Sequence, residues 1–231
     1  RAAVDELRRE ASARGGLCET PLVPPRQAAP GLVPSALAVD GGTLWLASSG
    51  LRRVFAIGCR DGRVLASHGD GRWGDHDGAS ADARFALPVA LARHGDHVVV
   101  ADAGSHSLRA IDRASGEVAT WCGTGRLGSD RFGGGYGRDQ ALSSPAGMLV
   151  RDGGLYLAMT GTDQIWQVDP GTGAAVAWFG VDGHAHGLRQ PVGLAAADAT
   201  LWAAASAAGE VVAIDLAHAR AHPGRHGHPG R

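Results

Sequence analysis

Apolar and polar residues alternate in short runs along most of the 231-residue chain, and the same pattern occurs four times. Four segments align without a gap when each is anchored on its first proline, with anchors 54, 57 and 46 residues apart. Ungapped matches over 25 positions indicate an internal repeat, and the unequal spacings indicate connections of variable length. The repeats are residues 34–58, 88–112, 145–169 and 191–215, which begin at Pro34, Pro88, Pro145 and Pro191.

Each repeat predicts three short strands separated by turns rich in glycine and aspartate, and a fourth strand follows another glycine-containing turn. In the second repeat these runs are ALAR, HVVVA, SLRAID and EVATWCG. No segment inside the repeats has a 3.6-residue period, which excludes a helical solenoid. Four antiparallel strands per unit of about 40–50 residues are typical of a β-propeller blade. We therefore predict an all-β propeller over residues 34–216, with about four blades present.

The two ends of the chain differ from the repeats. Residues 2–13 show helical spacing of Val4, Leu7 and Ala11, which predicts a short N-terminal helix within residues 1–20. Residues 21–33 are proline-rich and predict an extended linker. Residues 217–231 are rich in His, Arg, Pro and Gly, so we expect a disordered tail.

Charge and cysteine content narrow the function classes. The net charge is −1 and the chain has no lysine, which argues against nucleic-acid binding. The sequence lacks an apolar run long enough for a membrane span and lacks the pattern of a signal peptide, so we expect a cytoplasmic protein. Cys18, Cys59 and Cys122 form no Cys-x-x-Cys motif, which favours free thiols in a reducing compartment.

Three segments carry a resemblance to a known family. The hairpin VVVADAGSHSLRAID at 98–112 resembles the hallmark of the NHL repeat, and residues 69–92 resemble the connection between NHL blades. Residues 133–150 with 157–169 resemble the corresponding blade of thioredoxin-linked NHL-repeat proteins. The resemblance covers about residues 2–216.

That family implies several further features. In thioredoxin-linked NHL-repeat proteins a thioredoxin-like domain precedes a six-bladed propeller, so the resemblance implies that the four repeats are four blades of six in a truncated chain. The N-terminal helix would then be the end of the preceding domain. A free-standing ring of four blades is the alternative.

Asp102 and His106 lie four residues apart around a glycine turn, so they form a candidate catalytic or metal-binding pair. The alternative is that Asp102 and Gly104 form a structural turn, with Asp102 accepting hydrogen bonds from backbone amides and His106 packing beside the next strand. Because this pattern is the consensus of a repeat found in many non-enzymes, we favour the structural interpretation and predict no catalytic residues.

Polar residues at this turn in successive repeats predict a binding rim on one face of the propeller. Their mixed charge favours a protein or peptide, or a small molecule, over RNA. An ordinary solvated surface is the alternative. The rim residues are Arg52, Arg53, His106, Arg109, Asp163 and Gln164.

The tryptophans divide into packing and surface positions. Trp45 and Trp202 occupy equivalent positions in the second strands, and Trp121 and Trp178 recur in the fourth strands, so we expect all four in the core. Trp73 lies in a connection and is the candidate surface anchor.

Histidines near Asp77 and Asp182 suggest metal binding, but His184 and His186 lack an identifiable third ligand. We predict no metal and no cofactor.

These observations together predict a non-catalytic binding or scaffold module, with any redox chemistry located in a thioredoxin-like domain. The first alternative is a metal-dependent propeller enzyme of the lyase or lactonase type. The second is an RNA-binding NHL domain.

Overall fold

The computed structural model describes residues 31–181 and 188–216, which form four β-sheets stacked in chain order. The first sheet contains four antiparallel strands, and the second sheet repeats this arrangement. The strands of the first blade are β1 (Pro34–Asp40), β2 (Thr43–Ser48), β3 (Arg53–Gly58) and β4 (Val64–His68). The strands of the second blade are β5 (Pro88–His94), β6 (His97–Asp102), β7 (Ser107–Asp112) and β8 (Val118–Cys122).

The third sheet has a fifth strand, and the fourth has three strands within the described residues. The third blade and its connection contain β9 (Gly133–Tyr136), a 3₁₀ helix (Gly137–Asp139), β10 (Pro145–Arg151), β11 (Gly154–Met159), β12 (Gln164–Val168) and β13 (Ala174–Phe179). The fourth blade contains β14 (Pro191–Ala197), β15 (Thr200–Ala205) and β16 (Glu210–Asp215). The prediction of an all-β propeller with four blades is therefore confirmed.

Strand β9 was not predicted from the sequence. It pairs with the outer edge of β13, where Gly133 has a φ of 78° and the backbone of Ala175 lies very close. A Cβ atom at residue 133 would lie 2.4 Å from the carbonyl oxygen of Ala175. Only glycine permits this approach, so the strand forms from a glycine run that has no hydrophobic alternation.

The predicted N-terminal helix, most of the proline-rich linker and the His-rich tail lie outside the described residues. The six-bladed ring likewise stays a prediction. The described residues include no helix long and apolar enough to cross a membrane.

Three apolar clusters join neighbouring blades. Because side chains alternate across each strand, every blade has one face toward the preceding blade and one toward the following blade. Trp45, Val54, Val98 and Ile111 pack between the first and second blades. Each such side chain contributes about 1.5–3 kcal/mol when fully buried.

The first strands of the blades, β1, β5, β10 and β14, pack side by side in that order. Within residues 31–181 and 188–216, β14 makes no comparable contact with β1. Among the described residues, one face of the first blade and one face of the fourth blade therefore have no neighbouring blade. The prediction for Trp202 is wrong for this reason: its side chain is 43% exposed, whereas the equivalent Trp45 is 5% exposed.

Candidate functional site

Asp102 is fully buried at the end of β6 and is bonded to the connection that leads into its own blade. One carboxylate oxygen accepts from the amide of Ala86 at 2.7 Å, and the other accepts from the amide of Leu87 at 2.5 Å. Burial raises the pKa of Asp102, whereas these two amides oppose that rise by stabilising the carboxylate. Both oxygens are thus occupied by backbone groups.

Gly104 allows the connection to lie against this hairpin. A Cβ atom at residue 104 would lie 2.8 Å from the Ala86 side chain and 3.0 Å from the backbone nitrogen of Leu87. Any larger residue would push the Ala86 and Leu87 amides away from Asp102. Asp102 and Gly104 thus lie where this turn contacts the connection.

His106 occupies the left-handed backbone region, with a φ of 47°, and its side chain reaches the third blade. Its Nδ1 accepts a hydrogen bond from the amide of Ser144 at 3.1 Å. Burial lowers the pKa of His106, and the nearby Asp102 charge raises it less strongly. The neutral ring is therefore favoured, as an Nδ1 acceptor requires.

Asp163 repeats this arrangement one blade later. It has a φ of 56°, and its Oδ1 accepts from the amide of Gln190 at 2.7 Å. Ser144 and Gln190 each precede the first proline of the next blade. His106 and Asp163 therefore connect consecutive blades through equivalent hydrogen bonds.

The other predicted rim residues differ in exposure. Arg109 and Gln164 are both 0% exposed, so they cannot contact a partner on the rim. Arg52 and Arg53 are half-buried, and Arg53 donates from Nη2 to the carbonyl oxygen of Asp70 at 3.0 Å. Gln164 donates from its side-chain amide to the carbonyl oxygen of Arg131, which lies in the connection between the second and third blades.

Arg109 binds the connection between the first two blades through its buried guanidinium group. Its guanidinium donates to the carbonyl oxygens of Arg84 at 2.7 Å and His76 at 2.9 Å. It also forms an ion pair with Asp77 at 2.7 Å and lies 5.5 Å from the centre of the Phe85 ring. A buried arginine with these partners fixes the position of the connection through hydrogen bonds in several directions.

Asp77 is the centre of this polar cluster, and the sequence analysis did not single it out as a site residue. It accepts from the amide of Thr120 at 3.1 Å and from its hydroxyl at 2.8 Å, and it pairs with Arg138. Burial raises the pKa of Asp77, but the hydrogen bonds from Thr120 and Arg138 and the charge of Arg109 together lower it. The Asp-Gly pair of Asp77 and Gly78 in the connection between the first two blades was the available signal.

An open pocket of about 550 Å³ is lined by residues of the same connection. Asp70 and Arg84 form an ion pair at 2.8 Å on its wall, and the pocket carries both signs of charge. Trp73 follows the pocket residue Arg72 in the chain and is 65% exposed. The charged lining residues are Asp70, Arg72, Asp77, Asp82 and Arg84, and His76 also lines the pocket.

The described residues contain no group of three or more His, Cys, Asp or Glu side chains arranged to hold a metal ion. His184 and His186 lie outside the described residues. The side chains that line the described pocket can form ion pairs and hydrogen bonds.

No family model matches the chain. NHL repeat-containing protein 2 from Bos taurus is 33% identical over 147 residues, which cover 59% of this chain and 20% of that protein. The Homo sapiens protein of the same name is 34% identical with the same coverage. Protein SUPPRESSOR OF QUENCHING 1, chloroplastic, from Arabidopsis thaliana is 32% identical over 140 residues, covering 58% of this chain and 13% of that protein. The chain thus spans about a fifth or less of the length of these relatives.

Solved structures share the fold at low sequence identity. A catalytically inactive virginiamycin B lyase from Staphylococcus aureus superposes with a TM-score of 0.57 and 13% identity, over 82% of this chain and 58% of that chain. The computationally designed Ika4 protein superposes with a TM-score of 0.52 and 13% identity, over 80% of this chain and 92% of that chain. The resemblance to NHL-repeat proteins is therefore confirmed over 59% of this chain, and the described residues form a β-propeller of four blades.

Proposed function

We propose that the chain is a non-catalytic propeller module that binds a protein or peptide at the pocket on the connection between the first two blades. The supporting observation is the exposed Trp73, which follows the pocket residue Arg72 in the chain, on a connection that the buried Arg109 binds through hydrogen bonds. Exposed aromatic and arginine side chains on a rigid support are typical of protein-binding surfaces. The rim residues Arg52 and Arg53 extend this surface, since Arg53 bonds to Asp70.

The occupied state of the candidate pair supports a module without catalysis. Asp102 binds two backbone amides and His106 binds a third, so neither side chain offers a free base. A general base must reach the proton that it removes. The acceptor atoms of both side chains are already bonded to backbone amides of the protein. The lyase superposition concerns the fold alone, at 13% identity.

Binding is tested by selecting peptides from a random library against the immobilised chain and measuring their affinity by calorimetry. We expect selected peptides to lose at least about tenfold in affinity with Trp73→Ala, because exposed aromatic anchors dominate such surfaces. Phe132→Ala is the matched control, since Phe132 is 69% exposed but lies in the connection between the second and third blades. Peptides that bind Trp73→Ala as tightly as the parent chain would refute the assignment of this face.

Absence of catalysis is tested separately. The chain should not reduce insulin disulfides with dithiothreitol as the electron source, because it contains no Cys-x-x-Cys. Turnover above the rate of dithiothreitol alone would contradict the proposal.

Hydrolysis of a lactone panel, abolished by a chelator and restored by one metal, would favour the enzyme alternative. Salt-dependent binding of single-stranded RNA would favour the RNA alternative.

We also propose that a thioredoxin-like domain accompanies this propeller in the whole protein. The basis is the resemblance of residues 133–150 and 157–169 to thioredoxin-linked NHL-repeat proteins. Sequencing the complete reading frame tests this directly. A frame that encodes the propeller without a Cys-x-x-Cys domain would remove the redox association.

A further inference from the structure

Arg84 lines the pocket, and contacts on both its backbone and its side chain fix its position. Its backbone amide donates to the carbonyl oxygen of His76 at 3.0 Å, and its own carbonyl oxygen accepts from Nη1 of Arg109 at 2.7 Å. Its Nε donates to Asp70 at 2.8 Å. The side chain of Arg84 is therefore already positioned in the protein without a ligand.

The backbone at Gly74 lies against the aliphatic part of the Arg84 side chain. A Cβ atom at residue 74 would lie 3.1 Å from Cδ of Arg84 and 3.4 Å from its Cβ. Gly74 also has a φ of 154°, which other residues rarely adopt. A larger residue at position 74 would therefore crowd the arginine, so this glycine helps to position it.

The guanidinium of Arg84 retains hydrogen-bond donors for a ligand. It binds Asp70 through Nε alone, and Nη1 and Nη2 form no hydrogen bond with a described residue. The side chain is 38% exposed, so solvent reaches part of it. A guanidinium can donate two parallel N–H bonds to the two oxygens of a carboxylate. Because this side chain is already positioned, such binding costs less conformational entropy than it does at a free surface arginine.

Asp70 is already fully engaged as an acceptor. Its Oδ1 accepts from the backbone amide of Arg72 at 2.6 Å, and its Oδ2 accepts from Nε of Arg84. The hydrogen bond from Arg84 is the main cause that lowers the pKa of Asp70, and the Arg72 amide and the charges of both arginines add to it. Asp70 therefore stays ionised and bound within the protein.

Asp77 has two guanidinium partners for one carboxylate. Arg109 pairs with its Oδ1 and Arg138 pairs with its Oδ2, while Thr120 donates to both oxygens. Neither oxygen is left without a donor. The Arg138 side chain is 56% exposed, so its positive charge remains accessible to solvent.

The charges that remain favour an anionic ligand. Asp82 and Arg72 both line the pocket and are both exposed, so their opposite charges offset each other. The donors at Nη1 and Nη2 of Arg84 and the second guanidinium at Asp77 have no such counterpart. The pocket thus offers an excess of positively charged donors, although the whole chain has a net charge of −1.

We propose that the pocket binds an acidic peptide, in which the carboxylate of an Asp or Glu side chain accepts hydrogen bonds from Nη1 and Nη2 of Arg84. This inference rests on the proposed function, because it states the chemistry of the peptide that the pocket binds. It also gives Arg84 and Trp73 different roles, since Arg84 binds the acid and Trp73 contacts an apolar part of the peptide.

The test begins with a random peptide library displayed on phage and selected against the full chain. We expect the peptides that require Trp73 to be enriched in Asp and Glu relative to the unselected library. Selected peptides are then synthesised with amidated C-termini, so that a terminal carboxylate cannot replace the side chain. Calorimetry measures their affinity for the parent chain and its variants.

Two substitutions of Arg84 test its contact with the carboxylate. Arg84→Gln should weaken binding of an acidic peptide at least about tenfold, and Arg84→Lys should weaken it less, because an ammonium keeps the charge but lacks the paired donors. Arg63→Gln is the matched control and should bind like the parent chain. Arg63 is exposed and precedes β4, whereas the connection that carries the pocket follows the other end of that strand at His68. Near-ultraviolet circular dichroism checks that the variants fold.

A double-mutant cycle separates the carboxylate contact from a general effect on the pocket. The second change replaces the acid of the peptide by Gln, which should cost little affinity once Arg84→Gln has been made. Equal loss of the acidic and the neutral peptide with Arg84→Gln would overturn this inference. Selected peptides that are neutral or basic, yet lose affinity with Trp73→Ala, would also overturn it and leave the proposed function standing. Failure to select any peptide that requires Trp73 would overturn the proposed function and this inference together.

Discussion

His106 and Asp163 occupy the same position in consecutive blades, and each accepts a hydrogen bond from the amide that precedes the next blade's first proline. In the first and second blades that amide is instead bound within the same blade: Ser48 accepts from Val33 at 3.2 Å, and Asp102 accepts from Leu87. The amide before the first proline of each blade thus has one side-chain acceptor. That acceptor comes either from the same blade or from the preceding blade. The candidate catalytic pair consists of one acceptor of each kind.

The stability of the protein should depend on the protonation of His106. Burial lowers its pKa below 6.5, so the folded state prefers the neutral ring and this contribution is present above pH 6.5. The contribution should be lost as pH falls through the interval between 6.5 and the lowered value. His106→Asn keeps an acceptor and tolerates the positive φ, so it should remove this part of the pH dependence. Urea unfolding of both proteins between pH 5 and 7.5 measures the difference.

A control for His106 removes the acceptor without adding charge. His106→Leu should lose about 1–3 kcal/mol at pH 7.5, because the Ser144 amide is left without its partner. His106→Asn should lose less. Equal destabilisation by the two variants would show that the hydrogen bond to Ser144 is not the source of the effect.

Replacement of Asp102 should destabilise the second blade strongly. Asp102→Ala leaves the Ala86 and Leu87 amides without acceptors, at a cost of about 3 kcal/mol or more. Asp102→Asn retains one acceptor oxygen, so its stability should fall between that of the parent chain and that of Asp102→Ala. Chemical denaturation monitored by circular dichroism provides the comparison. A loss below about 0.5 kcal/mol with Asp102→Ala would contradict the structural assignment.

The hairpins and their anchors could be predicted because a two-residue period and a proline recur at fixed offsets. The burial of Arg109 could not, because it depends on Asp77 and two carbonyl oxygens of a connection 25 to 33 residues away. The exposure of Trp202 was missed for a related reason. Its position in the repeat matches the buried Trp45, but burial requires a neighbouring blade on the same face.

The two described cysteines should differ sharply in reactivity. Cys122 is buried between the second and third blades, and burial raises its pKa to about 12, whereas Cys59 is exposed. Because the thiolate is the nucleophile, iodoacetamide at pH 8 should modify Cys59 and leave Cys122 unmodified in the folded protein. Peptide mass mapping measures each site, and denaturation in urea should make Cys122 react. Rapid modification of Cys122 without urea would show that this core opens.

The ion pair between Arg109 and Asp77 should be strongly coupled to stability. Arg109→Met removes three hydrogen bonds and leaves Asp77 with a reduced set of partners, so we expect a loss of about 3–5 kcal/mol. Arg109→Lys should still lose about 2 kcal/mol, because an ammonium cannot reach the separate carbonyl oxygens as a planar guanidinium does. A double-mutant cycle with Asp77→Asn isolates the pair, and we expect a coupling energy above about 1 kcal/mol. Additive effects of the two substitutions would mean that Arg109 acts through the carbonyl oxygens of His76 and Arg84 alone.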